Sequence, residues 1–211
     1  ALAESLESSR RRERLDPAKV AAVFAANLPD KATVLDVGAG TGVFTFAFAA
    51  ELPSARIVAM DVRADAVREV RQRARREHWV NVEAWRIGPK MVPQLPCGGG
   101  GCAAAADLIV AVDVLEFVGE GEERETYARS LRALLTPAGR LLVVSPFVHA
   151  DSILLDIRDA GFQQVRTRQV VSGRRTMLFE ADTAAAPPPP LAPLEEQQEE
   201  EEDDGAAEEA A

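Results

Sequence analysis

The block Val34-Leu35-Asp36-Val37-Gly38-Ala39-Gly40-Thr41-Gly42 constrains the fold more than any other stretch of the chain. Thr33 to Val37 reads as a buried strand that runs into glycines at every second position, and Gly42 to Leu52 then reads as a helix. Glycine adopts backbone conformations closed to other residues and lets a ligand approach the main chain closely. The helix start behind it offers free N–H groups. Arg56 to Met60 reads as a second strand, and Asp61 ends it. An acid at that place can accept hydrogen bonds from both hydroxyls of a ribose. In a dinucleotide fold the third glycine would fall at position 43, which is Val43 here. Asp36 would also repel a diphosphate, whereas it suits a cationic ligand. A nicotinamide-dependent oxidoreductase is therefore not expected.

The remaining chain continues the alternation. Asp16 and Pro17 mark a helix start, with Val20, Val23, Phe24 and Leu28 on one face and Pro29-Asp30 as its end. Ala64 to His78 is a helix carrying Val67, Val70 and Ala74 on one side. Val82 to Ile87 and Asp107 to Val112 read as the third and fourth strands. Glu122 to Leu135 is a helix that groups Tyr127, Leu131 and Leu134. Arg140 to Val144 is the fifth strand, and Ser152 to Ala160 a helix stopped by Gly161. Continuous apolar strands separated by helices predict a mostly parallel sheet covered on both faces. Gln163 to Val171 and Thr176 to Glu180 have only Ser172-Gly173-Arg174-Arg175 between them. A parallel crossover needs about a dozen residues, so these two strands are expected to form an antiparallel hairpin, the sixth and seventh of the sheet.

Charge divides the chain unevenly. The net charge is -10, yet Glu195 to Glu209 alone holds ten acidic residues and no basic one. Subtracting those ten from the 34 acidic residues leaves 24, against 24 lysines and arginines. The organisation predicted is a polar extension over residues 1–14, one α/β domain over 15–182, and a disordered tail rich in Pro, Ala and Glu over 183–211. The neutral domain carries no continuous basic groove, and aromatics are only 5% of residues, so nucleic acid is not expected as a partner. The basic cluster Arg10, Arg11, Arg12 and Arg14 reads as a solvated helix start. Cys97 and Cys102 flank four glycines with no histidine nearby, a poor zinc site, and no metal is expected. They read as two free thiols, with a disulfide across the loop as the alternative. No stretch approaches the ~20 apolar residues of a membrane helix. A cytoplasmic protein is expected, or an organellar one whose targeting peptide has been removed, since the chain starts at Ala1.

With these motifs in place, the chain resembles the class I S-adenosylmethionine-dependent methyltransferases. The similarity runs from about residue 15 to 181 through Val34 to Gly42, Asp61, Asp107 to Glu116, Leu131 to Val144 and Ala160-Gly161-Phe162. The segments Arg14-Leu15-Asp16-Pro17 and Ala160-Gly161-Phe162 look closest to the small-molecule branch, which includes quinone-biosynthesis methyltransferases. The resemblance implies a Rossmann-like methyltransferase fold, with a seven-stranded mostly parallel sheet, a C-terminal antiparallel hairpin and helices on both faces. It implies S-adenosyl-L-methionine as cofactor. Gly38, Ala39, Gly40 and Gly42 would line its methionine portion, Asp36 would hold its amino group, Asp61 its ribose, and Val62 and Gly88 its adenine. Asp113 would line the methyl-transfer site.

Methyl transfer from a sulfonium mainly requires alignment of the nucleophile in line with the methyl–sulfur bond. A base is needed only where the acceptor must lose a proton, and the candidates are Asp113, Glu116 and His149. Glu116 also reads as a solvated helix-start carboxylate, and His149 as an exposed loop residue. The chain departs from the family in two places. Trp85-Arg86-Ile87-Gly88-Pro89 lacks the acid that meets the adenine amino group in many members, and Ser145-Pro146-Phe147-Val148-His149 is short where relatives insert substrate-binding structure. The second departure leaves room for a protein partner that completes the acceptor pocket. Asp113-Val114-Leu115-Glu116 is not the Pro-Pro-aromatic motif of enzymes that methylate nucleobases or glutamine. The acceptor expected is a small molecule, its identity open. The alternative is a noncatalytic methyltransferase-fold partner or scaffold.

Overall fold

The computed structural model of the chain describes residues 16–88, 106–170 and 174–181. The first helix, α1 (Pro17–Ala25), begins where Asp16 accepts hydrogen bonds from the backbone N–H groups of Ala18 at 3.1 Å and Lys19 at 3.3 Å. It stops before Leu28, earlier than its apolar spacing predicts. The Leu28 N–H bonds back to Ala25 in a turn, which folds Leu28 onto the core.

Beyond α1 the chain runs β1 (Thr33–Val37), α2 (Val43–Glu51), β2 (Arg56–Asp61), α3 (Ala64–Arg76), β3 (Val82–Arg86) and β4 (Ala106–Val112). A 3₁₀ turn (Leu115–Phe117) leads to α4 (Glu122–Leu134), β5 (Leu135–Pro146), α5 (Phe147–Asp159), β6 (Phe162–Val170) and β7 (Arg174–Ala181). The strands lie in the order β3-β2-β1-β4-β5-β7-β6. β1 to β5 pair in parallel, and β7 runs antiparallel to both its neighbours.

Alternate residues of the strands feed two cores, as a period of two requires. Leu35, Val37, Val58, Met60, Ile109, Ala111, Leu141 and Val143 face α4 and α5. Val34, Ile57, Leu108, Val110, Leu142 and Val144 face α1 and α2, while Ala59 and Ala84 meet Val67, Val70 and Ala74 of α3. The central strands are therefore apolar on both sides. Each fully buried Leu, Ile or Val contributes roughly 1.5–3 kcal/mol.

Other boundaries also differ from the sequence expectation, three of them for a local reason. α3 stops at Arg76, because His78 takes a left-handed conformation with φ 58°. β5 starts at Leu135 instead of Arg140. Leu135 pairs with Ala106 across an irregularity in β4, and a Cβ on Gly139 would lie 2.7 Å from the Ala106 carbonyl oxygen, so only glycine fits there. α5 starts at Phe147 instead of Ser152, directly behind Pro146, which holds the N-cap position with an extended ψ of 145° and no side-chain hydrogen bond. The expectations for residues 1–14, for 183–211 and for the pair Cys97 and Cys102 lie outside the described residues. No described helix is long and apolar enough to cross a membrane.

One buried cation ties the segment after β4 to both neighbouring helices. Arg124 on α4 is 1% exposed. Its Nε donates to the Leu115 carbonyl at 2.9 Å, its Nη2 to the Gly119 carbonyl, and its Nη1 to Ser152 Oγ at 3.1 Å and Asp156 Oδ2 at 2.7 Å. A cation in the first turn opposes the helix dipole; here two loop carbonyls and a carboxylate offset that penalty. Removing one partner of such a pair leaves a buried charge without compensation, at about 3–5 kcal/mol. Arg124→Ala is expected to lose stability on this scale in urea titration. Replacing Arg124 and Asp156 together by leucine should recover much of it. A cost for Arg124→Ala within the ~0.5 kcal/mol of an ordinary surface substitution would refute the clamp.

Candidate cofactor site

β1 and β4 are neighbours at the middle of the sheet, but the chain leaves β1 toward β2 on its other side. This is the point where strand order reverses, and open α/β sheets bind ligands outside the carboxyl ends of the strands there. The turn after β1 occupies that crevice. Gly38, Gly40 and Gly42 all have positive φ, 70°, 56° and 82°. At Gly38 there is a second constraint: an added Cβ would sit 2.3 Å from Val114 Cγ2. The segment after β4 thus packs directly on the turn after β1.

The turn is shaped from β2. Gly38 and Ala39 donate their N–H groups to the Met60 carbonyl at 2.7 and 3.0 Å, and Gly42 donates to Ala39. Gly40 donates to Asp61 Oδ2 at 2.7 Å, while the other oxygen of Asp61 accepts from the Arg63 N–H at 2.9 Å. The N–H groups of these four turn residues are spent inside the protein. The turn therefore does not cradle an anion. It presents backbone surface. Asp61 is 7% exposed, and each carboxylate oxygen has a second lone pair with which to meet a ligand hydroxyl.

Asp36 is 3% exposed near the end of β1. Its Oδ2 accepts a hydrogen bond from Thr45 Oγ1 at 2.5 Å. Burial pushes its carboxyl from 3.8 up to about 6, against the opposing hydrogen bonds of Thr45 and with a smaller contribution from the charge of Asp61. A second polar side chain, Thr41, is buried in the turn, and its Oγ1 has no hydrogen-bond partner among the described residues. Neither threonine is a sequence candidate. The available signal for Thr45 is a lone hydroxyl in the otherwise apolar run Val43 to Ala50.

The other candidates fall along the same carboxyl edge. Val62 follows β2 and is 43% exposed. Gly88 is half-buried after β3, next to Ile87, whose N–H bonds to the Asp61 carbonyl at 3.1 Å. Asp113 is half-buried just past β4 in a left-handed conformation with φ 52°, its N–H bonded to the Val144 carbonyl at 2.8 Å. That φ is uncommon outside glycine and concentrates at functional sites. Glu116 is half-buried in the 3₁₀ turn, which corrects its reading as a solvated helix-start carboxylate. His149 belongs to the first turn of α5 and is half-buried, which corrects its reading as an exposed loop residue. Ser145, at the C-terminal end of β5, is fully buried with no partner for its hydroxyl among the described residues.

Comparison with known proteins agrees with this geometry. A family model described as a methyltransferase domain matches residues 35–141, half of the chain. A trans-aconitate 2-methyltransferase of Azoarcus sp. (strain BH72) is 29% identical over 119 residues, 56% of this chain. The match spans only 41% of that relative's length. A methyltransferase from Aquifex aeolicus, named as S-adenosylmethionine-dependent, superposes with a TM-score of 0.69 at 20% identity, covering 84% of this chain and 95% of its own. One from Clostridium acetobutylicum, named likewise, superposes with a TM-score of 0.68 at 11% identity over 84% and 96%. These two show the shared fold. With the family match over half its length and the reversal of strand order beside its glycine turn, the chain belongs to the class I S-adenosylmethionine-dependent methyltransferases, on a Rossmann-like α/β sheet.

Proposed function

We propose that the protein transfers a methyl group from S-adenosylmethionine to a small-molecule acceptor, using the crevice between β1 and β4. The reading takes residues 15–182 as the functional unit and its sheet as the seven-stranded form that ends in an antiparallel hairpin. One observation carries it: a carboxylate buried near the end of β1, beside a turn in which Gly38, Ala39, Gly40 and Gly42 already use their N–H groups. That combination repels anions and favours a ligand bearing a cation. The fit extends to the spare lone pairs of Asp61 and the orphaned hydroxyl of Thr41.

In this reading Asp36 holds the ammonium of the cofactor, Gly38, Ala39, Gly40 and Gly42 lie along its methionine portion, and Asp61 accepts from its ribose. Val62 and Gly88 flank its adenine. The bound cofactor supplies an electrophilic methyl on a sulfonium. The protein aligns the acceptor and excludes water, since an already activated donor needs little covalent help. Asp113 borders the transfer site. Where the acceptor must lose a proton, Asp113, Glu116 and His149 are the groups placed to take it. The Azoarcus relative is named for methylating trans-aconitate, which supports a small-molecule acceptor here.

Asp36 provides the test, because Asp61 cannot be replaced cleanly. An asparagine at 61 would turn its NH₂ toward one of two backbone N–H groups. An asparagine at 36 can still accept from Thr45. The rise from 3.8 to about 6 corresponds to roughly 3 kcal/mol. The folded protein keeps this proton between about pH 4 and 6 while the unfolded chain releases it. Wild-type stability therefore falls as pH rises through that window. Asp36→Asn should remove this slope and be more stable than wild type at pH 7, by up to ~3 kcal/mol. The same variant should bind S-adenosylmethionine at least tenfold more weakly in calorimetry at pH 7.5. Wild-type affinity should fall below pH 6, and nicotinamide dinucleotide should not bind either protein. A folded wild type that does not bind the cofactor would overturn the enzyme reading in favour of a noncatalytic partner. Equal affinity in Asp36→Asn would remove Asp36 from the pocket.

A further inference from the structure

A second concave surface lies away from the carboxyl edge, behind the open side of the sheet. Among the described residues β3 is an edge strand, and a groove of about 500 Å³ runs between it and α3. Its floor is apolar, built from Val70, Ala74, Ala84 and Trp79, and Trp79 is braced against Phe46 at 5.8 Å between ring centres. Its rim is cationic. Arg71 donates from Nε to the Ala84 carbonyl at 2.9 Å, so its charge lies over the edge strand, and Arg75 is exposed beside it. Glu83 also lines the groove, but both its oxygens are held by Arg56, at 2.8 and 3.0 Å. The charge left over is positive. Trp85 at 42% exposure and Val80 at 98% add apolar surface beside it.

A basic groove with an apolar floor calls for an acidic segment with apolar residues next to the acids. This chain contains one. Leu191-Ala192-Pro193-Leu194 precedes the ten acidic residues of Glu195 to Glu209. The reach is sufficient. β7 ends at Ala181, one residue past Glu180, which pairs with Arg140 toward the amino-terminal edge of the parallel strands. α3 ends and β3 begins at that same edge. Five strand spacings separate β7 from β3, about 24 Å at ~4.8 Å each. Residues 182–194 would span about 40 Å even as a stiff polyproline helix at ~3.1 Å per residue. We propose that Glu195 to Glu209 dock in cis on the α3–β3 groove, seated by Leu191 and Leu194 and held by Arg71 and Arg75. An open strand edge is a template for association with other chains, and charged cover is a usual protection. The acidic tail then acts as an intramolecular guard for β3.

The two tryptophans of the chain, Trp79 and Trp85, both line this groove, so intrinsic fluorescence reports its occupancy without a label. Full-length protein is titrated from 0.01 to 1 M salt, over which the screening length falls from roughly 30 to 3 Å. The expected result is a red shift of wild-type emission with salt. Two full-length variants, Arg75→Gln and the tail variant E199Q/E200Q/E201Q/E202Q, should start at low salt where wild type ends. The tail variant leaves the folded domain untouched, so a folding defect cannot mimic it. The variant R10Q/R11Q/R12Q should follow wild type. Wild-type emission that ignores salt overturns the proposal, as does a tail variant that matches wild type at low salt. So does an effect that follows the N-terminal arginines, which would place the tail there, or a shift that grows with protein concentration, which would place it on a second copy.

Discussion

The turn between β1 and α2 has almost no side chains with which to hold its own shape, so its conformation is imposed by the neighbouring strand. The Met60 carbonyl receives two of its N–H groups and Asp61 a third. The rest of the crevice follows from that grip. With the turn fixed, three glycines sit at φ values costly for other residues, and Val114 can close on Gly38 from the far side. The Asp61 carboxylate is a structural anchor of the turn, and in the proposed function it is also the group that meets the ribose. An acid at the end of the second strand therefore does two jobs whose effects a single substitution would not separate.

Asp36 shows the opposite economy. Its burial makes ionisation unfavourable, and the hydroxyl and backbone N–H of Thr45 relieve only part of that cost, since the carboxyl remains raised to about 6. Nothing in the packing of β1 requires a carboxylate there. Val34, Leu35 and Val37 are buried apolar residues of the same strand. A buried carboxyl raised to about 6 beside the glycine turn is what the proposed function uses to hold a cationic group. Functional sites commonly break the local rules that the remaining structure obeys.

The sheet and the turn were legible in the sequence because their signals are local. Apolar strands, glycines at alternate positions and an acid at a strand end all lie within short windows. Ser145-Pro146-Phe147-Val148-His149 was misleading, because it reads as a loop whereas β5 ends at Pro146 and the helix begins at once at Phe147. His149 accordingly moved from loop to helix. Thr45 was hidden in an apolar helix, and its role depends on a strand nine residues earlier. Arg124 was the least visible. In Glu122-Glu123-Arg124-Glu125 it reads as one charge on a solvated helix start, yet it is 1% exposed. Its partners Leu115, Gly119, Ser152 and Asp156 lie on both sides of it in sequence, and no periodicity announces such a convergence.

Two kinds of rigidity therefore meet in the crevice. The turn after β1 is held by its main-chain N–H groups, two given to the Met60 carbonyl and one to the Asp61 carboxylate. The segment after β4 is gathered with α5 around α4 by the Arg124 guanidinium. Asp113 and Glu116 belong to that segment, and His149 to that helix. Side-chain clamps can be rebuilt by substitution without disturbing the sheet, whereas the main-chain turn cannot. Under the proposed function, this division allows the cofactor half to be kept while the acceptor half is varied.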